Sequence, residues 1–263
     1  MTFLRTALMA LLIVGLASCS GGYGGGSVLG VSAQGHWMQY ITITGDPNGE
    51  IGPSGGYISQ NGTSLNGVDQ RGTLIGTLFT ITTNENDLTG PVDSVGTLSG
   101  DTASGTFVMQ QGVPPIVGTF RMTRFMPVGT MVANGTVGGG TVNINATDTF
   151  CERHYTDVAL TQLDAVVVKY RGRTSNFDLD ISASGLQVGT LVVGTDIFVD
   201  VEYETDAAEN SSFGLTGTLD ITQFDATGIA GTFNINLAGG GSVSGSFSCP
   251  INPGVLSIDA YYP

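Results

Sequence analysis

Apolar and polar positions alternate along most of this chain with a period of two, the signature of half-buried strands. Within 35–44, Trp37, Ile41 and Ile43 share one face and Met38 and Tyr40 the other. Within 116–124, Ile116, Phe120 and Met122 point one way, while Val117, Thr119, Arg121 and Thr123 point the other. Within 231–237, Phe233, Ile235 and Leu237 oppose Thr232, Asn234 and Asn236. One apolar and one polar face predicts antiparallel sheet packed on a single side. Gly and Asn-Gly punctuate the strands: Asn61-Gly62 predicts a two-residue hairpin loop, and Asp46-Pro47-Asn48-Gly49 another turn.

The single helix candidate is 157–168. Its second half, Val166-Val167-Val168, is β-branched and favours strand, which leaves one helical turn at 157–163. Strands 165–171 and 176–183 are expected to form a hairpin around 172–175. That register sets Tyr170 opposite Phe177, Val168 opposite Leu179 and Val166 opposite Ile181. It also sets Lys169, the only lysine, opposite Asp178. A one-residue slip would send Phe177 and Leu179 to the charged face, so the apolar set resists it.

A recurring triplet links the two halves. Gly96-Thr97-Leu98, Gly105-Thr106-Phe107 and Gly118-Thr119-Phe120 find counterparts in Gly217-Thr218-Leu219, Gly231-Thr232-Phe233 and Gly245-Ser246-Phe247. The expected fold is all-β: two small antiparallel β domains, sandwich or meander barrel, with a diverged duplication left open. The expected division is a first β domain at 28–126, a linker at 127–132 and a second β domain at 133–263.

Composition narrows the function classes. The chain has 263 residues, 41 of them glycine, with a net charge of −14 and only 11% charged residues. So few basic residues exclude an electrostatic nucleic-acid binder. An apolar content of 41% is too high for disorder by low hydrophobicity, and the glycines follow no three-residue period.

The first 18 residues read as an export signal: a short start carrying Arg5, then ALMALLIVGL at 7–16, too short to span a bilayer. The junction Leu16-Ala17-Ser18-Cys19 resembles the lipobox of bacterial lipoproteins. That resemblance implies cleavage after Ser18, lipidation of the Cys19 thiol, acylation of the new N-terminus by chains such as palmitate, and the membrane as a partner through this anchor. Ser20 after the cysteine resembles an outer-membrane sorting signal, which implies anchoring at the cell outer membrane, facing either the periplasm or the surface. The Gly-rich run to Ser27 would then be a flexible tether, 19–27. Gly-Thr-Phe strands behind a lipobox resemble envelope lipoproteins built from small β-sandwich or β-barrel domains. Residues 57–67 are similar to the opening meander of avidin-like barrels. That family needs several ligand-facing tryptophans and Trp37 is the only one here, so biotin binding does not follow.

Candidate chemistry is sparse. His36 lies beside Trp37, and His154 follows Cys151-Glu152-Arg153. No serine lies in Gly-x-Ser-x-Gly ahead of a helix; Ser104, Ser242 and Ser244 fall in segments read as turns. Cys151, His154 and Cys249 offer three of the four ligands of a zinc site. With Cys19 committed to lipid, Cys151 and Cys249 are the remaining pair of an exported chain, and a disulfide is favoured over zinc. The stretch DIFVDVEYETD, 196–206, puts Asp200, Glu202, Glu204 and Asp206 on one strand face and Val199, Val201 and Tyr203 on the other. With Asp178 and Asp180 nearby, the calcium candidates are Asp178, Asp180, Asp200, Glu202 and Glu204. Carboxylates about 7 Å apart along a strand are too widely spaced for a tight cage, and a solvated acidic face is the simpler expectation. The expected protein is a lipid-anchored envelope component with a non-enzymatic binding or structural role, and no cofactor is expected. The alternatives are an extracytoplasmic hydrolase of glycan or ester substrates and a polysaccharide-binding adhesion module.

Overall fold

A computed structural model describes residues 31–47, 49–84, 91–110, 114–155, 162–250 and 258–261. The signal segment, Cys19, the tether and most of the expected helical turn (157–161) lie outside the described residues. Among the described residues there is no helix. The strands are β1 (Gly35–Ile43), β2 (Glu50–Asn61), β3 (Ser64–Gly67), β4 (Gln70–Ile75), β5 (Leu78–Thr83), β6 (Val92–Ser99), β7 (Thr102–Met109) and β8 (Ile116–Phe125). They continue as β9 (Gly129–Val137), β10 (Gly140–Tyr155), β11 (Leu163–Arg171), β12 (Ser175–Ser182) and β13 (Gly189–Val192). The remainder are β14 (Val199–Thr205), β15 (Ala208–Asp225), β16 (Gly228–Leu237), β17 (Ser242–Pro250) and β18 (Ile258–Tyr261).

The strands make two closed eight-stranded antiparallel barrels, so of the two architectures anticipated the meander barrel is the one formed. In the first, β1 to β8 pair in sequence and β8 returns to β1. In the second, β9, β10, β11, β12, β14, β15, β16 and β17 pair in turn and β17 returns to β9. The short β13 lies along the later half of β15, and β18 runs parallel beside β10. Two long strands turn the corners of the second barrel: β10 pairs first with β9 and then with β11, and β15 pairs first with β14 and then with β16. Register breaks at Ala146/Thr149, Gly214/Thr216 and Ile221/Gln223 supply the bends.

The chain divides between Arg124 and Phe125 into two compact units, with Gly52–Ser54 counted in the second. The stretch 127–132, expected as a linker, contains the first residues of β9, and Met131 is buried in the core. Its apolar alternation, Gly129, Met131 and Ala133 inward, is what carries it into the sheet.

The repeated triplet explains how the barrels fill. In each triplet the glycine and the large residue two positions on share the inward face, and Leu98, Phe107, Phe120, Leu219, Phe233 and Phe247 are all buried. Gly105 pairs with Phe120 and Phe107 with Gly118; likewise Gly231 pairs with Phe247 and Phe233 with Gly245. The Phe107 and Phe233 rings therefore cover Gly118 and Gly245 on the neighbouring strands, the small-against-large packing a narrow barrel requires. A Cβ at Gly118 would meet the Phe107 ring at 2.5 Å, and one at Gly245 the Phe233 ring at 3.0 Å. In the first barrel the gap left among Trp37, Leu65, Phe79, Leu98 and Met122 is about 10 Å³, at the limit for one water. Trp37 is itself buried, its Nε1–H donating to the Ala33 carbonyl at 2.7 Å.

Candidate functional site: a charged sheet face and an outward apolar patch

The β11–β12 hairpin forms in the register expected from sequence. Val166 faces Ile181, Val168 faces Leu179, Lys169 faces Asp178 and Tyr170 faces Phe177. The inward set joins the core of the second barrel. Of the acidic face expected to be solvated, Glu202 and Asp206 are exposed, but Asp178 is not. Glu152, Lys169, Arg171 and Asp178 are buried, with Glu152 at 0% exposure. Their mutual neutralisation makes that burial tolerable.

The cluster is assembled by cross-strand pairing. On β10 Glu152 lies opposite Val167, two residues from Lys169 on the same face, and the Lys169 Nζ reaches Glu152 Oε2 at 2.7 Å and Asp178 Oδ2 at 3.5 Å. Arg171 grips both oxygens of Asp178, Nη2 to Oδ2 at 2.8 Å. His154 Nε2 sits 3.2 Å from Glu152 Oε2. Farther out, Asn176 Nδ2 donates to Glu204 Oε2 at 2.6 Å. Acids also face acids across β12 and β14: Asp178 opposite Glu202 and Asp180 opposite Asp200.

These neighbours set the carboxyl affinities. Burial pushes Glu152 up, but the Lys169 ammonium and His154 bring it down to about 2. Burial also raises Asp178, and Arg171 and Lys169 outweigh it, so its carboxyl lies below the usual range. Glu202 goes the other way. Its crowded setting and the Asp178 charge push it up to about 7, against the pull of Lys169, although its exposed edge in solvent tempers that rise. Burial raises Asp200 as well.

Cys151 and Cys249 form a disulfide with Cα atoms 5.9 Å apart, so neither thiolate is available to a zinc ion. Of the calcium candidates, Asp178 is engaged by Arg171 and Lys169 and Glu204 by Asn176. Among the described residues no group of three or more His, Cys, Asp or Glu side chains is placed to hold a metal ion. His36 is buried, its ring 4.8 Å from that of Tyr57. Ser104 and Ser244 lie within β7 and β17, and Ser242 opens β17, so they sit on strands rather than in the turns expected. All three are exposed on barrel exteriors. Tyr170 and Tyr203 are partly buried against the core of the second barrel.

One feature of the second barrel was missed. Phe198, Phe213 and Leu215 are 69%, 67% and 58% exposed, although they are large and apolar. Phe213 lies opposite Asp200, Phe198 is two residues before Asp200, and Leu215 is two residues beyond Phe213, so the pairing register brings the three exposed side chains to neighbouring outward positions. Leu215 is the extra residue at the register break between Gly214 and Thr216. Its signal in sequence is half present: Phe198 falls on the acidic side of DIFVDVEYETD, where an apolar residue has no core to face.

No protein-family model matches the chain, and no curated protein matches it. Among solved structures, a crystal structure of the vaccine antigen transferrin binding protein B from Haemophilus parasuis, a double mutant, is similar over 82% of this chain and 45% of that chain. The identity is 12% and the TM-score 0.21, and this chain spans less than half the length of that one.

Proposed function

We propose that this chain is a lipid-anchored envelope protein that works by binding through the outside of its barrels, not by catalysis. The observation that carries the reading is where the apolar side chains lie. The gap lined by Trp37, Leu65, Phe79, Leu98 and Met122 inside the first barrel is only about 10 Å³, whereas Phe198, Phe213 and Leu215 of the second are turned to solvent. A ligand-carrying barrel needs the reverse distribution. The lipobox-like 16–19 supports an anchor at Cys19, and the following Gly-rich run supports a tether that leaves barrel exteriors free to meet a partner. The histidines support binding over hydrolysis. His36 is packed against Tyr57, and His154 bonds to the buried Glu152 that Lys169 also holds. A hydrolytic histidine instead sits between a nucleophile and a carboxylate in an open cleft.

Metabolic labelling with palmitate, together with turnover assays on ester and glycan substrates, tests both halves of the reading. Label is expected on the wild type and absent from Cys19→Ala, with no turnover by either. Equal labelling of the two removes the anchor, and turnover that survives purification removes the binding role. Proteinase treatment of intact cells then separates a surface from a periplasmic face.

A further inference from the structure

We propose that the outward face around Phe198, Phe213 and Leu215 docks a cationic amphipathic polypeptide, a partner segment that presents an apolar stripe flanked by lysines or arginines. This rests on the binding role proposed above and names the partner's chemistry.

Two independent observations meet here. The first is the contiguous apolar surface. Single exposed apolar residues are ordinary on a soluble protein, but the register sets these three at neighbouring outward positions, two on β15 and one just before β14, with Val192 of β13 (46% exposed) opposite Thr218 farther along the same sheet. The backbone is arranged to present them. Leu215 is pushed out by the bulge, and its carbonyl lies 2.6 Å from where a Gly194 Cβ would stand, a position kept open by a glycine at φ +82°.

The second observation is charge. From Thr174 to the C-terminus the sequence contains no lysine, arginine or histidine, against eleven aspartates and glutamates. Asp196, Asp200 and Glu202 lie within four residues of Phe198, Asp200 directly opposite Phe213, and β13, β14 and β15 carry no lysine or arginine to balance them. Lys169 and Arg171, on β11, are buried against Glu152 and Asp178. A partner with a basic rim gains attraction and faster encounter from this field. A second copy would set acid against acid, and an anionic lipid surface would be repelled in the same way.

The test uses the processed chain purified from cells and held in phosphatidylcholine nanodiscs. A Ser211→Cys variant carries an environment-sensitive fluorophore; Ser211 is exposed and two residues from Phe213 on the same face. The probe is a helical peptide of leucine and lysine, with a leucine–glutamate peptide of equal length as its counterpart. The expected result is a saturable response to the lysine peptide alone, weakened by salt and at least tenfold weaker in Phe198→Ser and in Phe213→Ser. Unchanged melting of those variants shows that the fold is intact, and Leu215→Ser provides a further variant at an exposed site. Equal response to both peptides, or binding that survives all three substitutions, overturns the proposal. So does a response to raised protein concentration alone, which would mean self-association, or to phosphatidylglycerol vesicles, which would mean a lipid surface. Palmitate labelling and turnover are read separately, so a failure of the lysine peptide to bind overturns this choice of partner without touching the lipid anchor or the turnover result.

Discussion

At the scale of single residues, the charged face of β10, β11, β12 and β14 holds two groups of carboxyls with opposite pH responses. Glu152 and Asp178 have folded-state affinities below their ordinary values, Glu152 at about 2 against 4.5. Their contribution is complete above about pH 4.5 and is lost as the pH falls toward 2, because the unfolded chain then binds more protons. Glu202 and Asp200 have raised affinities, Glu202 at about 7. The folded chain keeps those protons longer, so that contribution is present at low pH and is lost as the pH rises from about 4.5 to about 7. Both limbs descend away from the ordinary carboxylate range, and the net charge of −14 adds self-repulsion on the alkaline side. Stability is therefore expected to peak near pH 4.5, and Glu202→Gln to flatten the alkaline limb. Urea midpoints measured across pH check this; stability still climbing between about pH 5 and 8 contradicts it.

At the scale of the element, much was legible because alternation and turn chemistry agree. The β11–β12 faces could be read from alternation, since a one-residue slip would send Phe177 and Leu179 to the charged side; a two-residue slip would keep the faces, and the four-residue loop 172–175 picks the pairing that forms. The β2–β3 hairpin was also legible, but its loop is Gly62-Thr63, because Asn61 still pairs with Ser64. Gly62, at φ +61°, takes the left-handed position the turn needs, and the chain is shifted by one residue accordingly. The bulge at Leu215 left no such mark, since an inserted residue looks like any other until its partner strand is known. Burial of the charged face was illegible for a related reason: alternation says which residues share a face, not whether that face is covered. The glycine triplets were visible as a repeat, but their use appears only once Phe rings lie over them. That use predicts a cost. A Cβ at Gly96 would meet the Phe79 and Phe120 rings at 2.6 and 2.7 Å, so Gly96→Ala is expected to destabilise by about 1–3 kcal/mol. Chemical denaturation measures it, and a neutral result would mean that these rings move aside freely.

At the scale of the whole molecule, both barrels close a last strand onto a first, and the closure of the second has a covalent reinforcement. β9 stands between β10 and β17, but it begins only at Gly129. A Cβ at Gly129 would meet the carbonyl oxygens of Thr149 and Ser248 at 2.5 and 2.7 Å, so the flanking strands draw together at that point. Cys151 and Cys249 lie just beyond it, one on each flanking strand, and the disulfide joins them where no β9 residue remains between them. Both sulfurs belong to the buried core, and the bond closes a loop with a sequence separation of 98. For a loop of that length the chain-entropy account allows about 4–5 kcal/mol, most of it from restricting the unfolded chain. Replacing both cysteines by alanine leaves no buried thiol and removes only the link and two small side chains. The double variant is expected to lose a large share of that stabilisation, and the loss should fall on the unit that contains the bond. Amide exchange provides the measurement: β15, β16 and β17 should lose protection while β4 to β8 keep theirs. Equal loss in both units, or no loss in either, would show that closure of the second barrel does not depend on the bond.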